Sequence, residues 1–395
     1  MRWGLFGIVP AMAGVLCATA SAQGTDENWT KCKDDNPELA IAGCTAVMQS
    51  GKEEKSNLAI AYYYRGAAYD SRGFYDRAIQ DYDQAISLYP KYASAYNKRG
   101  YAYWATFKLD QAIADFDQAI SLNPKFAQAY NNRGNAFRVK GDHDRAIQDF
   151  DQAIRLNPNF AYAFNGRGNS YNDKGNYDRA IQNYDQAVRL APNYADAFFN
   201  RGNAYNHKGD YDRAIQDYDQ AIRLNPNFAD AFFNRGFTRF KEGPIAMAVP
   251  DFAKSAELVP ANRYNILWVY VAAARARQNP DDALLNAQGE DLVSWPGPVL
   301  SLFLRKSDRN ALLKEARDPD VEKEHDRLCE AHFFLAEYEL LVGVEKAAEA
   351  DFQEAVDTCR PTVVEYSAAA VELKRLPGQS PSRIDASKKP NLNLR

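Results

Sequence analysis

Histidine is the scarcest potential catalyst here, with four copies in 395 residues. His325 and His332 stand two helical turns apart with Glu330 between them, a spacing at which two imidazoles can meet one metal ion. No CxxC, HExxH or nearby His-Cys set completes a ligand shell, so packing or solvation accounts for them better. His143 replaces the tyrosine found at Tyr177 and Tyr211, and His207 falls near a helix end. Nucleophile elbows and phosphate-cradling glycine loops are missing. Aspartates pair at Asp81/Asp83 and Asp115/Asp117, which would suit acid–base work by spacing alone. They recur at a fixed interval, however, as a solvated helix face in a repeated sequence would. No catalytic residue, metal ligand or cofactor is expected.

The same interval organises most of the chain. Arg-Gly pairs stand at Arg65/Gly66, Arg99/Gly100, Arg133/Gly134, Arg167/Gly168, Arg201/Gly202 and Arg235/Gly236. Behind each glycine follow, in fixed order, an alanine, an aromatic ring, a small residue and a proline; in the fifth copy these are Ala214, Tyr218, Ala221 and Pro226. Phe198, Gly202 and Tyr205 share one helical face, and Ala214, Tyr218 and Ala221 share another, so each copy holds two helices. Gly209 ends the first helix and Asp210 can cap the second. Small residues let the helices approach, and rings fill what remains. One hairpin cannot bury its own apolar face, whereas a stack can. Each arginine must lay its stem over apolar surface and find acceptors for its head. Asp81, Asp115, Asp149, Asp217 and Asp251 are the expected partners, with Asn183 breaking the series.

These residues resemble the tetratricopeptide repeat (TPR) family over six copies: 58–91, 92–125, 126–159, 160–193, 194–227 and 228–260. The resemblance implies an all-α fold, a right-handed solenoid of stacked helical hairpins with a modified helical region at its C-terminal end. The family's tryptophan is Tyr or Phe here (Tyr62, Tyr96, Tyr130, Phe164, Phe198, Phe232), and its leucine before the glycine is the arginine. Phe107 takes the place of the turn glycine. The sixth copy departs most, with Arg239 for tyrosine and Pro250 inside its second helix, where a kink is expected.

A second stripe runs along the first helices beside the packing face. It carries Tyr63, Asn97, Asn131, Asn165, Phe199 and Phe233 before the glycine, and Tyr101, Asn135, Asn169, Asn203 and Phe237 just after it. One turn further on come Asp70, Trp104, Arg138, Asn172, Asn206 and Phe240. In the family the corresponding face lines the concave groove, so the resemblance implies a groove with an asparagine-rich middle and aromatic ends. A primary amide donates and accepts at once, which matches a peptide unit of an extended chain. The expected peptide-binding residues are Asn97, Asn131, Asn135, Asn165, Asn169, Asn203, Tyr101, Trp104, Phe199 and Phe233, with side chains directed away from the packing face. Lys98 and Arg138 are the only basic residues nearby, too few for a clamp on a C-terminal carboxylate. The expected function is a non-catalytic scaffold or adaptor that binds a protein or peptide partner. Amides and rings also suit sugars, so a glycan- or peptidoglycan-binding protein of the envelope is the rival.

The chain ends differ in texture. Arg2, the apolar run from Gly4 to Ala20 and the sequence Ala20-Ser21-Ala22 read as a secretory signal peptide over 1–22, hence a periplasmic or secreted protein. An uncleaved anchor is the alternative; Pro10 and the short apolar core argue against it. No later segment is apolar enough to span a bilayer. Residues 23–57 read as a worn capping hairpin, with Cys44 at the ring position and Cys32 across from it. Residues 261–328 form a helical region outside the repeat, with a turn at 280–282 and a break at Trp295-Pro296. In 329–376, Gly343, Ala348, Phe352 and Ala355 restore the repeat spacing between Cys329 and Cys359, and a further helix follows. The order of these distal elements is similar to NlpI-type periplasmic TPR proteins, adaptors that present proteins to a tail-specific protease. The lipobox of that family is missing, since Cys17 follows the large Leu16. Residues 377–395 read as a disordered tail.

Removing the signal leaves a chain one unit more negative than its formal −4, which argues against nucleic acid as a partner. A homo-oligomer through an apolar end of the array is compatible with the sequence. The four cysteines left after signal removal form an even set, which in an exported chain implies disulfides Cys32–Cys44 and Cys329–Cys359. Each should add roughly 2–4 kcal/mol. Protein purified from its native compartment should resist alkylation until reduced; four thiols that label at once would refute both bonds and the export they imply.

Overall fold

The computed structural model describes residues 27–278, 292–361 and 363–376. The signal peptide, the turn at 280–282 and the C-terminal tail lie outside the described residues. Every regular element among them is helical. They fall into two compact units that divide between Asp142 and His143.

The N-terminal unit opens with a short hairpin, Glu27–Cys32 and Pro37–Gln49, closed by the Cys32–Cys44 disulfide at a Cα separation of 4.4 Å. Two full hairpins follow, Lys55–Ser71 with Tyr75–Leu88 and Ala93–Ala105 with Leu109–Leu122, and then the helix Ala127–Val139. The C-terminal unit continues the pattern from His143–Leu156 through Ala161–Asp173, Tyr177–Leu190, Ala195–His207 and Tyr211–Leu224 to Ala229–Glu242. The glycine is what sets the spacing of each hairpin. A Cβ on Gly168 would sit 2.6 Å from the Tyr184 ring, closer than a carbon can approach. A second glycine makes the turn: Gly209 has φ +77° and lets the Asp210 N–H reach Tyr205 O at 2.9 Å. Phe107 adopts φ 58° at the same place and makes the same bond through Lys108, with its ring left in solvent.

Pro250 does not kink its helix. The residues before it form a 3-10 turn, Ile245–Met247, and the helix starts late, as Val249–Leu258, with Pro250 in its first turn. Proline lacks the N–H that a first turn leaves unused anyway, so starting late costs less than bending. The result is a ten-residue second helix where the fifth repeat has fourteen. Beyond it lie Arg263–Arg275, Gly297–Phe303, Arg309–Glu315, the hairpin Val321–Leu341 with Glu345–Thr358, and Val364–Arg375. The Cys329–Cys359 disulfide joins the two strokes of that hairpin, Cα to Cα 4.7 Å. Trp268, fully buried, centres this region: Phe237, Phe240, Phe252 and Phe333 ring it at 5.2–5.7 Å.

The arginine before each packed glycine clips two repeats together. Arg99 lies over the Tyr96 ring at 5.5 Å. It donates Nε and Nη2 to Asp115 of its own repeat at 2.8 and 2.7 Å, and Nη1 to Asp83 of the preceding repeat at 2.6 Å. Arg201 does the same with Asp217 and Asp185, and Arg235 with Asp251 and Asp219; Arg167 gives Nε alone to Asn183 and Nη1 to Asp151. Sequence reasoning anticipates the first acceptor and misses the second. The triplets Asp81-Tyr82-Asp83, Asp115-Phe116-Asp117 and Asp217-Tyr218-Asp219 therefore each serve two arginines. The ends of the series differ: Arg65 turns Nη1 to Thr45 at 3.0 Å, and Ala253 fills the second aspartate position of the last triplet. A planar fork gripping one carboxylate bidentately while stacking on a ring is work lysine cannot reproduce. Arg201→Leu strands Asp217, whose side chain is only 8% exposed. It should cost about 2–3 kcal/mol, discounted from a fully buried pair for the solvent at the guanidinium. Arg201→Lys should recover less than half of that, both read by urea denaturation.

The helix Val321–Leu341 carries carboxyls that each meet a second acid. Both oxygens of Glu337 are buried without a hydrogen bond, and the Arg275 Nε is 3.9 Å away because Glu372 engages Arg275 and Arg375. Burial, then the charge of Glu372, pushes Glu337 up to about 8. Burial, then Glu330, does the same to Glu365, also to about 8. These groups keep their proton in the folded chain where the unfolded chain, near 4.5, has lost it. Their contribution to stability is complete below that unfolded value and is lost as pH rises through about 8. The melting temperature of the C-terminal unit should thus fall between about pH 5.5 and about pH 8.5, and Glu337→Gln should flatten the slope. A slope unchanged by that substitution would show that Glu337 is ionised throughout.

Candidate peptide-binding faces

In the N-terminal unit the stripe is held on the helices Ala93–Ala105 and Ala127–Val139. Asn97 and Asn131 are buried. Asn97 accepts from the Asn132 amide at 3.1 Å, a bond from one first helix to the next. Asn131 donates to Asn132 at 3.4 Å, and its own carbonyl oxygen is buried without a partner. Asn135 is half-buried and makes no side-chain hydrogen bond among the described residues. Tyr101 and Trp104 stand with ring centres 5.6 Å apart, both half-buried.

In the C-terminal unit the same ladder continues on Ala161–Asp173, Ala195–His207 and Ala229–Glu242. Asn165 accepts from Asn200 at 3.1 Å and donates to the Tyr194 hydroxyl at 3.3 Å. Asn169 accepts the hydroxyl of core Tyr184 at 2.7 Å. Asn203 accepts both the Tyr218 hydroxyl at 2.8 Å and the Asn234 amide at 2.9 Å. The expectation that these side chains turn wholly away from the packing face is therefore corrected. The carbonyls of Asn169 and Asn203 face inward, because a buried tyrosine hydroxyl must find an acceptor and the amide on the other helix of the hairpin supplies it. The NH2 ends of Asn169 and Asn203 meet no acceptor among the described residues.

The aromatic positions divide. Phe199 packs on Tyr218 and Phe228 with its ring still half-exposed. Phe233 joins the core around Trp268 at 6.4 Å, and Phe237 and Phe240 are buried there too. The last repeat has no successor, so Arg263–Arg275 and its neighbours cover its face, and the rings expected at that end act as core. Sequence reasoning also misses Lys241. Its ammonium is buried beside Phe237 and Tyr211, at 5.0 and 5.4 Å, and burial brings it down to about 8. Burial and then Lys241 bring nearby His207 down to about 4, so that imidazole is neutral near pH 7. The offset from its glycine, one residue past the stripe, hides Lys241 from a helical-wheel reading.

No curated protein matches this chain. A family profile described as TPR repeat matches residues 68–106, 108–138, 168–209 and 202–243. Two profiles described as tetratricopeptide repeat match 127–160 and 150–182. Among solved structures, a tetratricopeptide repeat protein from Parabacteroides merdae aligns with a TM-score of 0.52 at 18% identity, over 63% of this chain and 96% of that one. A structure of MamA protein is 26% identical over 44% of this chain and 94% of its own, with a TM-score of 0.37. YrrB, described as a TPR protein with an unusual peptide-binding site, is 24% identical over 49% of this chain and 98% of its own, with a TM-score of 0.38. The glycine–ring hairpins, the profile matches along 68–243 and the shared all-α architecture lead to one identification: residues 68–243 of this chain are tetratricopeptide repeats.

Proposed function

We propose that the chain is a non-catalytic interaction scaffold of the bacterial envelope, binding extended peptide segments along the asparagine faces of its first helices. The observation that carries this reading is the fixed orientation of Asn169 and Asn203. A core tyrosine holds each carbonyl, and each NH2 is left to donate. Donors anchored on rigid helices meet peptide carbonyls with little loss of side-chain freedom. Each bond exchanges with water, so it contributes only about 0.5–1.5 kcal/mol, and several must act together. The half-exposed rings of Tyr101, Trp104 and Phe199 add apolar area. Export rests on the signal-like start and on the two disulfides.

The test separates binding from folding through the chemistry of the amide. Asn169→Asp with Asn203→Asp keeps an acceptor for each tyrosine hydroxyl and removes both outward donors. Unstructured peptides selected from a displayed library on the wild-type chain should bind the double variant about tenfold or more weakly, with melting within a few degrees. Equal binding by the two proteins would overturn the reading. So would wild-type protein that selects no peptides and is retained instead on insoluble cell-wall material, the behaviour of a glycan-binding protein.

A further inference from the structure

Two polar atoms in the first repeat have lost the partners that later repeats supply. The core tyrosines Tyr184 and Tyr218 each donate to an asparagine 15 residues earlier. The residue at that offset from Tyr82 is Ala67, and the Tyr82 hydroxyl is buried without a partner. Asn206 donates to Thr238, 32 residues on, and accepts from Lys241, 35 residues on. Asp70 occupies the position of Asn206, and the residues at the same offsets are Ala102 and Ala105. The side chain of Asp70 is 8% exposed, and its Oδ1 has no hydrogen bond. Its nearest cation, the Lys98 ammonium, stops 3.7 Å from the other oxygen, beyond hydrogen-bond length.

The next first helix faces this carboxylate: Lys98, 3.7 Å from it, stands one turn before Tyr101. Burial, then the charge of Asp70, holds the phenols of Tyr82 and Tyr101 above their ordinary value. Tyr101 and Trp104 lie together on the next first helix. A buried carboxylate oxygen without a donor is costly, and alanines stand where the fifth repeat places donors. We propose that Asp70, Tyr101 and Trp104 form a recognition site for an organic cation, a guanidinium or primary ammonium on the side chain of a bound protein. The cation gives Oδ1 its missing donor and lies against the electron-rich ring faces. Lys98 is the loosely held resident that it displaces. That a protein carries the cation rests on the peptide-face reading; the site itself does not.

Agmatine, an alkyl guanidinium with no peptide bond, tests the site by calorimetric titration of the full chain. Wild type should bind it saturably. Asp70→Asn should bind at least about tenfold more weakly, and Trp104→Ala should also lose affinity. Asparagine is the native residue at the equivalent positions Asn172 and Asn206, so Asp70→Asn should keep its circular dichroism and melting. Lys98→Gln, which removes the resident ammonium, should tighten agmatine severalfold. Agmatine bound while peptides are ignored upholds the cation site and rejects only the peptide reading. The site is overturned if wild type shows no saturable binding, if Asp70→Asn binds equally, or if Lys98→Gln lowers melting without a gain in affinity.

Discussion

A glycine facing a ring is the contact on which the repeats depend. Where Gly168 meets Tyr184 or Gly202 meets Tyr218, backbone touches side chain with no Cβ between them. That approach brings the two helices of a hairpin close enough to exclude water, and it fixes where everything else must go. The residue before the glycine leans over the ring three positions earlier, so a long, flat, charged side chain suits it. Its head then falls between the second helices of two successive repeats, which is why aspartates bracket the core ring. Stability in such an array is a sum over neighbours, and here each neighbour term contains an aromatic contact and a charge-assisted fork.

Much of this is legible in the sequence because the repeat prints the same decision six times. Helix faces, turn glycines, the cap at Asp210 and the first partner of each arginine all follow from spacing within one copy. What is missed involves a neighbour. Asp185 as a second acceptor for Arg201, and Asn200 as the donor to Asn165, belong to pairs that cross from copy to copy. A helical wheel shows which way a Cα–Cβ bond leaves its helix and says nothing about the group opposite. Pro250 fails for another reason: a proline inside a pattern can bend a helix or delay its start, and spacing does not choose between them. The burial of Phe233, Phe237 and Phe240 depends on Trp268, which lies outside the repeat altogether.

The asparagine stripe does two jobs with one side chain. At Asn169 and Asn203 the carbonyl end accepts a buried hydroxyl, and the NH2 end meets no acceptor among the described residues. A primary amide suits this because its two ends are chemically opposite and rigidly joined. The tyrosine below sets the orientation of the amide above. Where the core ring is phenylalanine, as at Phe116, no hydroxyl demands an acceptor, and the stripe residue above it is Tyr101 rather than asparagine.

Ala253, standing where the other triplets end in aspartate, marks the boundary of the array in chemical terms. The second, third and fifth copies each bring one arginine and two acids in the same phase, so duplicating one of them whole leaves no arginine short of a carboxylate; the fourth brings Asn183 in place of the first acid. A copy added after Ala253 would carry an arginine with only one acceptor. Repetition in one phase thus makes an interior copy chemically interchangeable with its neighbours, while the two ends are not.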